Sequence, residues 1–254
     1  MNGSSHTKHQ CNKYMNDDDW HALEASCLTD NVANAAQLLM KTNNDNGLHD
    51  TVLIAANAVK LAAGNKLVHD TSAAHWLVST NLGCSADAVR IYCSLNMKPS
   101  NGCVQNIMKF VNAPKSQSKL RLKVMNVAKQ TGAKDCGLFA IAFAQRLLSG
   151  LDPTTVVFDQ ESMRSHLKSC LTAGEISSFP TKSNRVTRRK VLKKFEVSAY
   201  CTCREGSLPK RTMIACDACH EWFHQTCIRM TDEEFSTYRT NRNKKYLCEH
   251  CKTV

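Results

Sequence analysis

The sequence predicts an α+β fold: a small mixed sheet packed on one central buried helix, followed by a small module whose core is zinc rather than side chain. Three observations carry this. Short runs of strand-forming residues alternate with helical patterns through the first two thirds of the chain. The stretch 136–148, CGLFAIAFAQRLL, is apolar nearly all round, which marks a helix buried on every side. The last quarter holds eight cysteine and histidine residues in four close pairs, the spacing that delivers two ligands from one tight turn to a tetrahedral ion.

Taken in order, residues 1–19 are rich in Asn, Ser and Asp, lack the apolar stretch of a signal peptide, and are expected to be disordered. Thr29 and Asp30 followed by Val32, Ala35, Ala36 and Leu39 predict a capped amphipathic helix, stopped by turn residues at 43–47. The Ala-rich stretch 51–63 is also compatible with a helix. Strands are expected at 66–70, 75–81, 89–93 and 120–126, and helices at 102–111, 136–148 and 160–171. This gives an α+β domain over 20–180, a basic linker over 181–198 and a finger over 199–254.

No apolar run approaches the roughly 18 residues needed to span a bilayer, so no membrane partner is expected. A reducing, cytosolic or nuclear setting makes disulfides unexpected for the 14 cysteines. Seven of them (Cys11, Cys27, Cys84, Cys93, Cys103, Cys136 and Cys170) are scattered without metal-site spacing and read mostly as small buried hydrophobes. The net charge of +11 is concentrated near the C-terminal third. Lys182, Arg185, Arg188, Arg189, Lys190, Lys193 and Lys194 face only Glu196. Such a tract serves as a solvated linker, a nuclear-import signal or a nucleic-acid contact.

The four pairs are Cys201-x-Cys203, Cys216-x-x-Cys219, His224-x-x-Cys227 and Cys248-x-x-Cys251. Eight ligands mean two zinc ions, and a segment this poor in large apolar residues needs them to fold. Spacing alone leaves the pairing open. With Trp222 two positions before His224, the pattern resembles a PHD finger; a RING-type finger usually places its histidine differently and lacks this tryptophan. The resemblance implies a cross-brace, with Cys201, Cys203, His224 and Cys227 on one ion and Cys216, Cys219, Cys248 and Cys251 on the other. It also implies a histone-tail partner and nuclear localisation. Tyr200, Met213 and Trp222 match positions that surround a methylated lysine by cation–π and dispersion contact. Asp217 and Glu221 would receive basic groups of the tail, which adds as a strand beside Met213. Ser207 stands where some members carry a further cage aromatic.

A second constellation lies upstream. Cys136 opens the apolar helix, where the helix dipole and unpaired N–H groups are expected to lower its pKa. A histidine within reach would act as acid and base, and a side-chain amide would donate to a developing oxyanion. His75-Trp76 on a strand and Gln130-x5-Cys136-Gly137 resemble the cysteine proteases of ubiquitin-like proteins, of the deSUMOylase and adenovirus-protease type. The stretch 47–51 resembles relatives in mobile elements. This implies His75, Gln130 and Cys136 as catalytic residues and a ubiquitin-like protein as partner. The family's acid, however, is replaced: the strand reads Ile91-Tyr92-Cys93-Ser94-Leu95. A neutral thiol does not stabilise an imidazolium as a carboxylate does, and losing that group costs about 10⁴ in turnover. Asp87 lies before the same strand, six residues early, and is a poor substitute. The expectation is therefore a PHD-type reader of lysine in histone tails joined to a degenerate protease domain, the alternative being an active isopeptidase.

Overall fold

The computed structural model describes residues 15–43, 65–70, 75–85, 87–110, 119–182, 191–198, 200–203, 212–241 and 243–252. The stretches 47–51 and 51–63 and Ser207 lie outside the described residues, so the expectations placed on them are not addressed. Two helices open the fold, α1 (Asp17–Ala25) and α2 (Asp30–Asn43). Helix α1 begins inside the segment expected to be disordered. The reason is a capping box: the Asn16 side chain accepts from the Asp19 N–H, and the Asp19 carboxylate accepts from the Asn16 N–H, both at 2.9 Å. Asp17, Asp18 and Asp19 also meet the positive end of the helix dipole. Asp19 further accepts from Thr29 and Asn31 at 2.5 and 3.0 Å, tying α1 to α2. The expected cap of α2 is present, with Thr29 Oγ1 accepting from Val32 N–H at 3.3 Å.

A five-stranded mixed sheet follows, in the order β1 (Asn65–Asp70), β2 (His75–Thr80), β3 (Ala88–Tyr92), β4 (Lys119–Met125) and β5 (Val191–Ser198). Strands β3 and β4 are parallel, and helix α3 (Asn101–Phe110) provides the crossover such a pair requires. The other pairs are antiparallel. On one face, Leu77, Val89, Ile91, Leu120, Leu122 and Val124 pack against α3. On the opposite face, Trp76, Val78, Tyr92 and Met125 pack against α4 (Cys136–Leu148), which α2 and α5 (Gln160–Ala173) then cover. Residues 136–145 of α4 are all buried, as the apolar run required. Phe139, Phe143 and Phe158 form a mutually packed aromatic cluster, with centroids 5.8–6.0 Å apart.

Strand β5 differs from the sequence expectation. The second half of the segment read as a basic linker is an edge strand, with Leu120 opposite Val197 and Leu122 opposite Phe195. Phe195 and Val197 close the α3-side core, while Leu192, Lys194 and Glu196 face solvent. The abundance of lysine hides this alternation in the sequence.

The C-terminal module is built on a two-stranded ribbon, β6 (Met213–Ala215) and β7 (Trp222–His224), with α6 (Asp232–Thr240) and the short α7 (Glu249–Lys252). Its apolar core is small: Phe223 and Tyr246 meet edge-on at 6.2 Å, and Tyr238 packs on Tyr246 at 5.8 Å. A core of this size does not offset the entropy of ordering the segment without a further tie.

Candidate functional site

That further tie is visible in the arrangement of thiols. The ligand atoms of Cys201, Cys203, His224 and Cys227 lie within 4.8 Å of one another, and so do those of Cys216, Cys219, Cys248 and Cys251. Tetrahedral zinc with sulfur ligands places the sulfurs about 3.8 Å apart. Cys219 Sγ and Cys248 Sγ are separated by 3.9 Å, and His224 Nδ1 lies 3.3 Å from Cys203 Sγ and 3.9 Å from Cys227 Sγ. Thiolate and imidazole donors in two closed groups of four fit structural zinc. The pairing is first with third and second with fourth, the cross-brace that the spacing itself left open. Cys201 is held down to about 3, first by its hydrogen bond with Cys203 and against the cost of burial. Burial opposes ionisation of Cys216, but N–H groups at Cys219, Cys248 and Ala218 outweigh it and bring the thiol to about 6. One thiol in each group is thus held low, whereas burial pushes the Cys227 thiol up and the hydrogen bond with Cys248 pushes the Cys251 thiol up; binding a cation there would displace protons.

On the ribbon, Met213 lies opposite His224 and Ala215 opposite Trp222. Met213 and Trp222 are thus diagonal neighbours on one face, and Trp222 is 46% exposed although flanked by buried Phe223. Cys216 N–H donates to Glu221 O and Gln225 N–H to Thr212 O. Alternation then turns the N–H and C=O groups of Met213 and Ala215 toward the other edge of β6, which no described strand occupies. Tyr200 is half-buried against the finger core and also lines an open groove of ≈ 550 Å³ with Asn101, Gln105, Phe195 and Val197. Asp217 is exposed, but one carboxylate oxygen accepts from Tyr246 N–H at 2.7 Å, so only the other remains for a ligand.

In the larger domain, His75 opens β2 and is 4% exposed; its Nε2 lies 3.2 Å from Cys93 Sγ. Cys93, 1% exposed, also accepts from Met97 N–H at 3.4 Å. Next to it, Ser94 Oγ donates to Gln130 Oε1 at 2.5 Å, and Gln130 N–H donates to Ser94 O at 3.1 Å. Gln130 Nε2 donates to Gly132 O at 2.9 Å, which fixes the amide and leaves its second N–H for another acceptor. Cys136, at the start of α4 and 2% exposed, takes a backbone hydrogen bond from Trp76, the residue after His75. His75, Cys93, Gln130 and Cys136 are thus gathered by contacts between neighbouring residues. Gly137 has a steric reason: a Cβ there would meet the Leu28 side chain at 3.0–3.1 Å.

One sequence expectation is corrected. The Cys136 thiol is pushed up, not down, because burial outweighs the N–H groups of Trp76 and Gly137. Asp87 is the poor substitute acid that its position suggested: it pairs with Arg121, which holds its carboxyl down to about 2. One device was missed. Arg164 on α5 grips the Asp135 carboxylate directly before Cys136, and donates to the carbonyls of Ala22, Leu23 and Ser26. Gln160 bonds Asp135 and both backbone groups of Thr131. Asp135 stands beside the candidate nucleophile in sequence, but nothing in the chain announces partners 25 and 29 residues away.

Residues 201–251 match the PHD-finger family, and the C-terminal module is a PHD-type zinc finger. Over 55 residues, 22% of the chain, it is 34% identical to the chromatin remodeling protein SHL of Arabidopsis thaliana. It is 31% identical to the chromatin remodeling protein EBS of the same plant and to lysine-specific demethylase 7A of Xenopus tropicalis. The matched stretch spans 22%, 21% and 5% of those relatives. Among solved structures, 68% of the chain superposes on 95% of the SUMO protease Ulp1 with its catalytic cysteine oxidized to a sulfinic acid, at 12% identity and a TM-score of 0.48. It covers 96% of the Ulp1 protease domain in complex with Smt3, the yeast ortholog of SUMO, at 13% identity and a TM-score of 0.49.

Proposed function

We infer that the chain is a nuclear chromatin reader whose zinc finger binds a histone tail bearing methylated lysine. The observation that carries this is the outward edge of β6 beside an exposed Trp222, with Met213 on the same face. An extended peptide would pair with the Met213 and Ala215 backbone and lay a quaternary ammonium against the indole and thioether. Asp217 would take a basic side chain through its remaining oxygen. The relatives' names, chromatin remodeling proteins and a lysine demethylase, agree with this setting. Calorimetric titration of the zinc-loaded full chain with unmodified and trimethyl-lysine histone peptides tests it. The trimethylated peptide should bind more tightly, and Trp222→Ala should weaken it by about tenfold, since a cation–π contact is worth about 1–2 kcal/mol. Equal affinity in the variant would remove Trp222 from the site.

A second reading is favoured by the contact between His75 and Cys93. The larger domain is a cysteine peptidase acting on the C-terminus of a ubiquitin-like protein, with Cys136 as nucleophile, His75 as base and Gln130 as oxyanion donor. It predicts covalent capture of Cys136 by an electrophilic ubiquitin-like C-terminus, lost in Cys136→Ala. The basic tract around Lys182, Lys193 and Lys194 would contact nucleic acid only if binding fell steeply with salt.

A further inference from the structure

The position that should carry an acid carries a sulfur, and that sulfur has a defined hydrogen-bonding environment. Cys93 is 1% exposed, so water does not satisfy it. Two nitrogens converge on Sγ: His75 Nε2 at 3.2 Å and the Met97 backbone nitrogen at 3.4 Å. The Met97 nitrogen is a donor under all conditions, so the sulfur is already an acceptor. A neutral thiol can accept again or turn its own S–H to the ring, so the imidazole tautomer decides which way the His75–Cys93 contact runs. The surroundings hold Cys93 in place. Asn96 N–H donates to Cys93 O at 2.8 Å, and Ser94 is bonded to Gln130 through both side chain and backbone.

We propose that Cys93 is a positioning residue: its sulfur accepts the Nε2–H of His75 and fixes the tautomer in which Nδ1 carries the lone pair. This rests on the peptidase reading of the larger domain. The arrangement suits a neutral resting pair. Cys136 stays a thiol because burial disfavours its anion. As its sulfur bonds to a substrate carbonyl carbon, the S–H proton passes to His75 Nδ1 and the carbonyl π pair moves to oxygen; when that adduct collapses, the C–N bond breaks and the imidazolium gives the proton to the departing amine. The Nε2–H meanwhile remains on Cys93 Sγ, so the ring keeps its orientation through the transfer. A carboxylate would do the same and also stabilise the imidazolium. The sulfur supplies the orientation without the charge.

The test reads the ring and the reaction separately, on the zinc-loaded full chain. Nitrogen-15 NMR of the His75 imidazole should show Nε2 protonated and Nδ1 bare in the parent chain. In Cys93→Ala the two tautomers should mix, and Cys93→Asp should restore the single one. Cys93→Ser, which keeps an acceptor in nearly the same volume, guards against loss of fold and should retain the single tautomer. Capture of Cys136 by the electrophilic ubiquitin-like probe should slow at least tenfold in Cys93→Ala and quicken above the parent rate in Cys93→Asp. An unchanged tautomer in Cys93→Ala overturns the proposal. A tautomer that follows residue 93 with no capture by any variant supports the positioning role and rejects the peptidase reading.

Discussion

Cys136 enters its helix as a thiol rather than a thiolate, and the cause is the packing around it. The N–H groups of Trp76, Gly137 and Cys136 itself act to lower its pKa, but a residue left 2% exposed in the core loses more from desolvation of the anion than it gains. Since the folded pKa is raised, the reactive anion forms only as pH climbs past the ordinary thiol range. Iodoacetamide labelling of the Cys136 peptide, followed by mass spectrometry, should therefore rise with a midpoint above about 8.5. A midpoint below neutrality would instead reveal a stable thiolate–imidazolium pair. The His-Trp and Gln-x5-Cys-Gly patterns singled out His75, Gln130 and Cys136 in the sequence, and their joint catalytic role is the proposal made above. The direction of the thiol shift was not legible there, because it depends on burial and on Trp76 and Cys27, which only the fold brings to the sulfur.

Helices and strands were read most faithfully where a period fits one face. Val32, Ala35, Ala36 and Leu39 are all completely buried on α2, and the apolar run of α4 begins at Cys136 as expected. Where charge interrupts the period the reading failed, as on β5 and at the start of α1. The contact that matters most between elements is equally silent in sequence. Arg164 and Asp135 are 19% and 17% exposed at their side chains, and the guanidinium joins α5, the end of α1 and the loop before α4 in one network. Replacing it leaves a largely buried carboxylate and three carbonyls short of donors. Arg164→Ala should lower unfolding stability by about 3 kcal/mol in urea melts. It should also slow Cys136 alkylation or capture less by chemistry than by loosening the loop 130–135.

At the scale of the whole chain, two different sources of stability stand side by side. The larger domain buries a sheet between two apolar layers, whereas the finger has a handful of core side chains and eight metal ligands. Structural zinc in such modules contributes on the order of 10 kcal/mol, more than the finger's own core supplies. Strong chelation should collapse the finger and abolish peptide binding. The five-stranded sheet should keep its thermal transition, which separate probes at Trp222 and at Trp76 would report. Simultaneous loss of both signals would mean that the two parts fold as one unit. The zinc ligands were fully legible in sequence because metal geometry dictates their spacing. Asp217, read from the sequence as a receiver of basic groups, is committed on one side to Tyr246, a contact that no spacing announces.

Strand β5 ends at Ser198, and the first zinc ligand is Cys201. A protease cut or an engineered break within the basic tract would therefore not divide the chain between its folded parts. It would strip the fifth strand from the sheet and leave the seven-residue β4 with a bare row of backbone donors and acceptors. Leu120, Leu122 and Val124 would lose the cover of Val197 and Phe195 at the same time. Such an edge invites pairing with another copy, so a half-molecule made this way would self-associate. A separable finger must begin after Ser198, and a separable sheet must keep β5.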